Sequence, residues 1–78
     1  MEDRVRAIFA ELLGLNATEV TDNMSYNSLE KWDSLKHLEL VSKLEDTFGI
    51  NIDMDDVIAM SNFRKVVETA QKYLDKKS

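Results

Sequence analysis

The residues that could do chemistry lie where a turn-rich stretch gives way to a helical pattern. Asp33 and Ser34 stand at the start of this pattern. A serine at the first position of a helix presents its hydroxyl to solvent, beside backbone amides that have no partner within the helix and carry a partial positive charge. We expect Asp33 to be the N-cap of this helix, with its carboxylate accepting from backbone amides. The pattern therefore predicts a rigidly held, exposed hydroxyl.

A hydrolase is one interpretation of this region, because His37 follows Ser34 by three residues and could share its helix face. A nucleophile needs an oriented base and a preorganised oxyanion site. A first-turn serine in a domain of 78 residues offers no pocket for either. We therefore predict that the chain has no catalytic residues and is not an enzyme, and that His37 is a solvated surface residue.

A calcium-binding loop is a second interpretation, because Asn51, Asp53 and Asp55 have the spacing of its first three ligands. The position of the sharp turn holds Asp56 in place of glycine, and the closing position holds Asn62 in place of glutamate. We interpret these carboxylates as a helix cap and a solvated face, and we predict no metal site.

The composition fits one small domain that spans residues 1–78. Cysteine is absent, so neither disulfides nor a zinc site can staple the fold, and its core must be apolar packing alone. No apolar run approaches the roughly 20 residues needed to cross a bilayer, so we expect a cytoplasmic protein without membrane contact. The formal net charge of −5 disfavours nucleic acid and favours partners with basic patches.

The predicted elements are helices, because helix formers dominate and proline is absent. The first should run over 2–13 and stop at Gly14, and the second over 34–48 and stop at Gly49. Each has an apolar stripe at steps of three and four residues. The first stripe is Val5, Ile8, Phe9, Leu12 and Leu13; the second is Leu35, Leu38, Val41, Leu44 and Phe48, with Leu40 beside it.

The connection over 15–33 is rich in turn-forming polar residues and unusually long for so small a domain. We expect it to be tied down by buried anchors. The candidates are Val20, Met24, Tyr26, Leu29 and Trp32.

The last third of the chain predicts a loop anchored by Ile50 and Ile52, a short helix over 54–60 and a long helix over 62–76 capped by Ser61. The apolar residues of the short helix are expected to be core. They are Met54, Val57, Ile58 and Met60. The long helix has a stripe formed by Phe63, Val66, Val67, Ala70, Tyr73 and Leu74.

The segment Trp-Asp-Ser-Leu-Lys-His-Leu-Glu-Leu-Val, residues 32–41, resembles the attachment site of acyl carrier proteins, whose serine in the Asp-Ser-Leu motif receives 4′-phosphopantetheine from coenzyme A. The order of elements and the stretch over 44–50 are similar to this family across essentially the whole chain. The resemblance implies an all-α, small four-helix bundle with three long helices, a short third helix and a long loop between the first two. It also implies that Ser34 carries the cofactor, whose thiol holds acyl groups as thioesters for fatty-acid, polyketide or specialised acyl metabolism.

The resemblance implies partners as well. A phosphopantetheinyl transferase and acyl-transferring or acyl-modifying enzymes with basic docking patches would contact a monomeric carrier at Trp32, Leu35 and Glu39. Leu35 has a rival role in the core, and the short helix could instead gate an acyl cavity. Trp32 stands where the family often has a small residue, and Lys31, Lys36 and Lys43 dilute the acidic face of the second helix, which favours a specialised pathway. An aminoacyl or peptidyl-type carrier and a cofactor-free helical adaptor remain as alternatives.

Overall fold

Four helices account for most of the computed structural model, which describes residues 2–25 and 32–77. They are α1, Glu2–Leu13; α2, Ser34–Phe48; α3, Met54–Ala59; and α4, Phe63–Lys77. Helix α1 packs against both α2 and α4. The predicted all-α bundle of three long helices and one short helix is therefore confirmed.

Glycine ends the first two helices, and both helices have the predicted bounds. Gly14 and Gly49 have φ angles of 69° and 64°, in the left-handed region that residues with a Cβ rarely adopt. The amide of Gly49 donates to the carbonyl of Glu45, which closes the last turn of α2. The helix stops are thus set by local backbone preference.

Three aromatic rings form the centre of the core. The Phe9 ring lies 4.9 Å from Trp32 and 5.1 Å from Phe63, and both pairs meet edge to face. All three side chains are fully buried. Trp32 therefore anchors the end of the long connection in the core, as the sequence predicted.

The described part of the connection is fastened to the start of α4. Val20 is buried and Met24 is half-buried. The Phe63 amide donates to the Met24 carbonyl at 2.8 Å. A loop carbonyl therefore accepts from one of the first-turn amides of α4, which have no acceptor within the helix. A short 3-10 turn over Ala17–Glu19 was not predicted. The predicted anchors Tyr26 and Leu29 lie outside the described residues, as does Lys31.

Helix α4 begins one residue later than predicted, and the prediction of Ser61 as its cap is wrong. Asn62 is the capping residue, because its side-chain oxygen accepts from the Lys65 amide at 2.8 Å. Asparagine and serine are comparably good N-caps, and only the path of the chain decides between neighbours. The apolar stripe of α4 is confirmed, since Phe63, Val66, Val67, Ala70 and Tyr73 are buried and Leu74 packs against them.

Helix α3 is tied to α4 by polar contacts. The Tyr73 hydroxyl donates to the Asp56 carboxylate, and the Lys72 ammonium lies 3.0 Å from the same carboxylate. The loop before α3 is held by Ile50 and Ile52, which are buried as predicted. Helix α3 ends at Ala59, one residue before the predicted end. Within the described ranges, no helix has the length and apolar character that crossing a membrane requires.

Candidate functional site

Ser34 is the first residue of α2, and its side chain is exposed. Asp33 has extended backbone angles, and its Oδ1 accepts from the Lys36 amide at 2.9 Å. This is the N-cap geometry predicted from the sequence. Because the cap fixes the first turn, the Ser34 hydroxyl has a defined position in front of the helix.

The first turn of α2 supplies electrostatic support beside this hydroxyl. The Lys36 amide is taken by Asp33, whereas helix geometry leaves the amides of Ser34 and Leu35 without a carbonyl partner in the helix. These amides and the helix dipole favour a negative group near the helix start by about 0.3 to 1 kcal/mol at an exposed position. A phosphodiester on Ser34 would lie in this field.

The buried face of α2 differs from the predicted one in its first half. Its buried residues are His37, Leu40, Val41 and Leu44. The prediction of a solvated His37 is wrong, because its side chain is only 8% exposed. The placement of Leu35 and Leu38 on the core face is also wrong, since they are 65% and 55% exposed. The helix is turned so that the stripe through His37 and Leu44 faces the core.

Helix α3 shows a similar division. Val57 and Met60 are buried as predicted, whereas Met54 and Ile58 are 64% and 73% exposed, so their assignment to the core is wrong. Only one face of this six-residue helix packs against the bundle, and its outer face stays in solvent. The exposed side chains of α2 and α3 together form an apolar surface, made of Leu35, Leu38, Met54 and Ile58.

An open cleft of about 290 Å³ lies between α2 and α3, beside Ser34. Its lining is mostly apolar and consists of Ser34, His37, Leu38, Met54, Val57 and Ile58. The serine hydroxyl therefore borders a cleft that could receive an apolar group. From the sequence, Leu38, Met54, Val57 and Ile58 are predicted to be core, and an acyl cavity at the short helix is only the alternative.

His37 connects three parts of the site. Its Nδ1 accepts the indole N–H of Trp32 at 3.0 Å, and its Nε2 lies 2.8 Å from the Val57 carbonyl oxygen. Trp32 was also predicted to contact partners, and its complete burial rules out contact through its side chain. Burial of Trp32 is favourable because the indole has a large apolar surface and its single N–H donor has an acceptor in the core.

The predicted partner residue Glu39 is exposed, one turn after Leu35. Its carboxylate lies 3.3 Å from the Lys36 ammonium, and both side chains are more than a third exposed. Such a pair contributes little to stability and is free to exchange for a partner's charges. Lys43 lies elsewhere on α2 and borders a crevice against α1, together with Ile8 and Leu12.

Two acidic residues around α3, Asp53 and Asp56, contact α4. Asp53 is the residue before α3, and its amide donates to the Tyr73 hydroxyl at 3.1 Å. The hydrogen bond from Tyr73, followed by that from Lys72, lowers the pKa of Asp56. Over residues 2–25 and 32–77, no three histidine, aspartate or glutamate side chains are grouped so as to hold a metal ion.

One signal in the sequence could have identified the buried histidine. His37 precedes Leu40, Val41 and Leu44 by three, four and seven residues, which is the spacing of one helix face. This face competes with the one through Leu35 and Leu38, which has more apolar members. Burial of a neutral histidine is favourable only when both ring nitrogens find partners, and these partners come from distant parts of the chain.

Comparison with known proteins identifies the class to which this fold and site belong. A family model described as the phosphopantetheine attachment site matches residues 3–70. The chain belongs to this family. Its structure is similar to the solution NMR structure of the holo acyl carrier protein from Geobacter metallireducens, with a TM-score of 0.84 and 25% sequence identity, covering 97% of this chain and 87% of the other.

The chain is thus a carrier domain of the acyl carrier protein type, and its cofactor is covalently attached 4′-phosphopantetheine. Members of the family are carriers and are not catalytic themselves. The residues at the start of α2 fit this cofactor: Ser34 offers an exposed hydroxyl, the amides of the first turn lie beside it, and the cleft of about 290 Å³ borders it.

Proposed function

We propose that Ser34 is the attachment residue, and that the thiol of its phosphopantetheine arm holds acyl groups as thioesters. The observation that supports this most is the position of Ser34: an exposed first-turn hydroxyl on a capped helix, next to an apolar cleft and inside the residues that match the family. The chain contains no cysteine, so the arm supplies the only thiol.

Attachment would be a transfer from coenzyme A in the site of a transferase. The Ser34 oxygen forms a bond to the phosphorus that bears pantetheine, and the pyrophosphate bond of coenzyme A breaks. Adenosine 3′,5′-bisphosphate leaves with the electron pair of that bond, and the hydroxyl proton passes to a base of the transferase. In the product, the amides of Ser34 and Leu35 stabilise the phosphodiester charge.

The exposed apolar surface is the proposed docking site for the transferase and for acyl-handling enzymes. Leu35 lies one position after the attachment residue, and Leu38 and Ile58 extend the surface to α3. An exposed apolar side chain among charges is a common recognition anchor. Glu39 would add a charge contact with a basic patch, and the net charge of −5 would speed the encounter.

The apolar lining of the cleft supports an aliphatic acyl group over an aminoacyl group as cargo. Leu38, Met54 and Ile58 offer carbon surface, whereas an ammonium group placed there would lose its hydration without a partner. We propose a specialised acyl pathway rather than housekeeping fatty-acid synthesis, because Lys36 and Lys43 interrupt the acidic character of α2.

Attachment is tested by incubating the protein with a promiscuous phosphopantetheinyl transferase and coenzyme A, then measuring the intact mass and the modified tryptic peptide. We expect one phosphopantetheine on the peptide that contains Ser34. The Ser34→Ala variant should keep its helix content and stay unmodified, whereas Ser42→Ala, which changes an exposed serine of the same helix, should be modified normally. An unchanged mass of the wild-type protein, or a modified Ser34→Ala variant, would refute the proposal and favour the helical adaptor.

A further inference from the structure

Helix α3 depends on tertiary contacts for its existence. It has six residues, and isolated helices much longer than this are marginal in water. Its first turn is joined to α4 through Asp56, which accepts from Tyr73 and Lys72. Its last turn has carbonyls that no following helical amide satisfies in full. We therefore expect a second stabilising contact, a hydrogen bond to one of these carbonyls, at the end of α3 that borders the cleft.

His37 provides this second contact. Its Nε2 lies 2.8 Å from the carbonyl oxygen of Val57, whereas the Met60 amide approaches the same oxygen only to 3.4 Å. The imidazole is thus the closer donor to a carbonyl in the last turn of α3. Side-chain donors at such carbonyls stabilise a helix C-terminus.

The tautomer of His37 follows from its other neighbour. The indole Nε1 of Trp32 is 3.0 Å from Nδ1 of His37, and an indole N–H can only donate. Nδ1 is therefore the unprotonated, accepting nitrogen, and the ring proton is on Nε2, where it is donated to Val57. Both ring nitrogens are engaged in a buried environment, so the ring orientation is fixed.

The location of this ring connects this second contact to the candidate site. Trp32 directly precedes the Asp33 cap, His37 lies one turn after Ser34, and Val57 forms part of the α3 wall of the cleft. One side chain therefore joins the segment before the attachment residue, the first turns of α2 and the opposite wall.

We propose that His37 is a positioning residue of the site: as the neutral Nε2–H tautomer, it holds α3 against the start of α2 and so sets the shape of the cleft beside Ser34. The use of the cleft by an acyl group rests on the proposed function, whereas the positioning is a property of the unmodified protein. Because both nitrogens are engaged, the ring presents mainly carbon atoms to the cleft.

Two amide variants separate the two hydrogen bonds. In His37→Asn, the side-chain oxygen can take the place of Nδ1 and accept from Trp32, but the side chain is too short to reach Val57. In His37→Gln, the amide nitrogen can take the place of Nε2 and donate to Val57, but the Nδ1 acceptor of the Trp32 indole is lost. The chain contains one histidine and one tryptophan, so each ring gives a single NMR signal without assignment ambiguity.

The measurements are the long-range proton–nitrogen spectrum of the His37 ring and hydrogen exchange of the α3 amides and the Trp32 indole. We expect the Nε2–H tautomer at neutral pH. His37→Asn should exchange its α3 amides about five-fold faster or more, the change that one buried hydrogen bond represents, and leave the indole protected. In His37→Gln, the α3 amides should stay protected and the Trp32 indole should exchange faster.

A protonated Nδ1 in the wild-type protein would overturn the proposal. So would equal exchange in α3 for the two variants, or a rise that is as large in α1 as in α3, because either result means general destabilisation. If His37→Asn does not fold, the tautomer of the wild-type protein and the exchange of His37→Gln still test the proposal.

The link to cargo is tested by attaching an octanoyl-phosphopantetheine group from octanoyl-coenzyme A and following cleavage of its thioester by hydroxylamine. We expect faster cleavage in His37→Asn than in His37→Gln, because a displaced α3 wall shields the thioester less. Equal cleavage rates would refute the role in the cleft. Failure of the wild-type protein to accept the group would instead refute attachment at Ser34 and leave the tautomer and exchange results intact.

Discussion

The Tyr73 hydroxyl donates a hydrogen bond to the Asp56 carboxylate and thereby joins the end of the bundle formed by α4 to the short helix α3. The same hydroxyl accepts the Asp53 amide, and the Lys72 ammonium contacts both oxygens of the Asp56 carboxylate. The hydrogen bonds from Tyr73 and Lys72 to the Asp56 carboxylate lower the pKa of Asp56 and raise the pKa values of Tyr73 and Lys72. The contact is therefore sensitive to pH at both ends of the scale.

Acid should weaken the folded protein through Asp56. Because its pKa is lower in the folded chain than the ordinary value of 3.8, its contribution is complete above that value and is lost as the pH falls through the folded pKa. Glu2 adds to the same effect, since hydrogen bonds from Arg6 and Arg64 lower its pKa as well. We expect the free energy of unfolding, measured in urea, to decrease progressively below about pH 4.

The matched variant for this prediction is Tyr73→Phe, which keeps the ring and removes the hydroxyl. It should reduce the acid dependence, because the largest cause of the lowered Asp56 pKa is gone and only the charges of Lys72 and Lys76 still lower it. In the wild-type protein, stability should also decrease as the pH rises above 10.0, because the pKa of Tyr73 is raised in the folded chain. Identical pH profiles for the variant and the wild-type protein would contradict this assignment.

Removal of the cap should loosen the first turn of α2. In Asp33→Ala, the Lys36 amide loses the carboxylate acceptor at 2.9 Å, and we expect a loss of about 0.5 to 2 kcal/mol in the free energy of unfolding. Asp33→Asn is the control, since asparagine caps about as well as aspartate. Urea denaturation of the three proteins checks the difference, and equal losses in both variants would mean that charge rather than capping matters here.

Truncation of a buried leucine of α2 should lower the free energy of unfolding much more than truncation of an exposed leucine of the same helix. Leu44 is fully buried, and Leu44→Ala should cost about 2 to 4 kcal/mol because it removes apolar burial and leaves a cavity. Leu38 is 55% exposed, and Leu38→Ala should change stability by about 0.5 kcal/mol or less. Thermal and urea denaturation give both values. A near-neutral Leu44→Ala would contradict the orientation of α2.

Recognition by the transferase should depend on Leu35. Its side chain is 65% exposed, and Leu35→Ala should lower kcat/KM for phosphopantetheine transfer about ten-fold, as expected for loss of an interface anchor, while the urea midpoint stays unchanged. Lys65→Ala, on the exposed side of α4, is the control and should leave the rate unchanged. A normal rate for Leu35→Ala would place docking elsewhere.

The sequence alone determined the helices and the character of the attachment segment. The bounds of α1 and α2 agree with prediction at both ends, because apolar spacing, the Asp33 cap and the stops at Gly14 and Gly49 act within a few residues. The first-turn position of Ser34 follows from the same local signals. The resemblance to acyl carrier proteins could be recognised because the Asp-Ser-Leu motif and the order of elements are properties of the chain itself.

Only the tertiary structure decided which way α2 faces. Two overlapping stripes were available, and burial of His37 instead of Leu35 became favourable once Trp32 and Val57 supplied partners for both ring nitrogens. Tertiary contacts also determine that Asn62 is the cap of α4, because the chain before this helix is held where the Met24 carbonyl accepts from the Phe63 amide. Contacts between residues far apart in the chain carry no local signal, and the cleft beside Ser34 is made of such contacts.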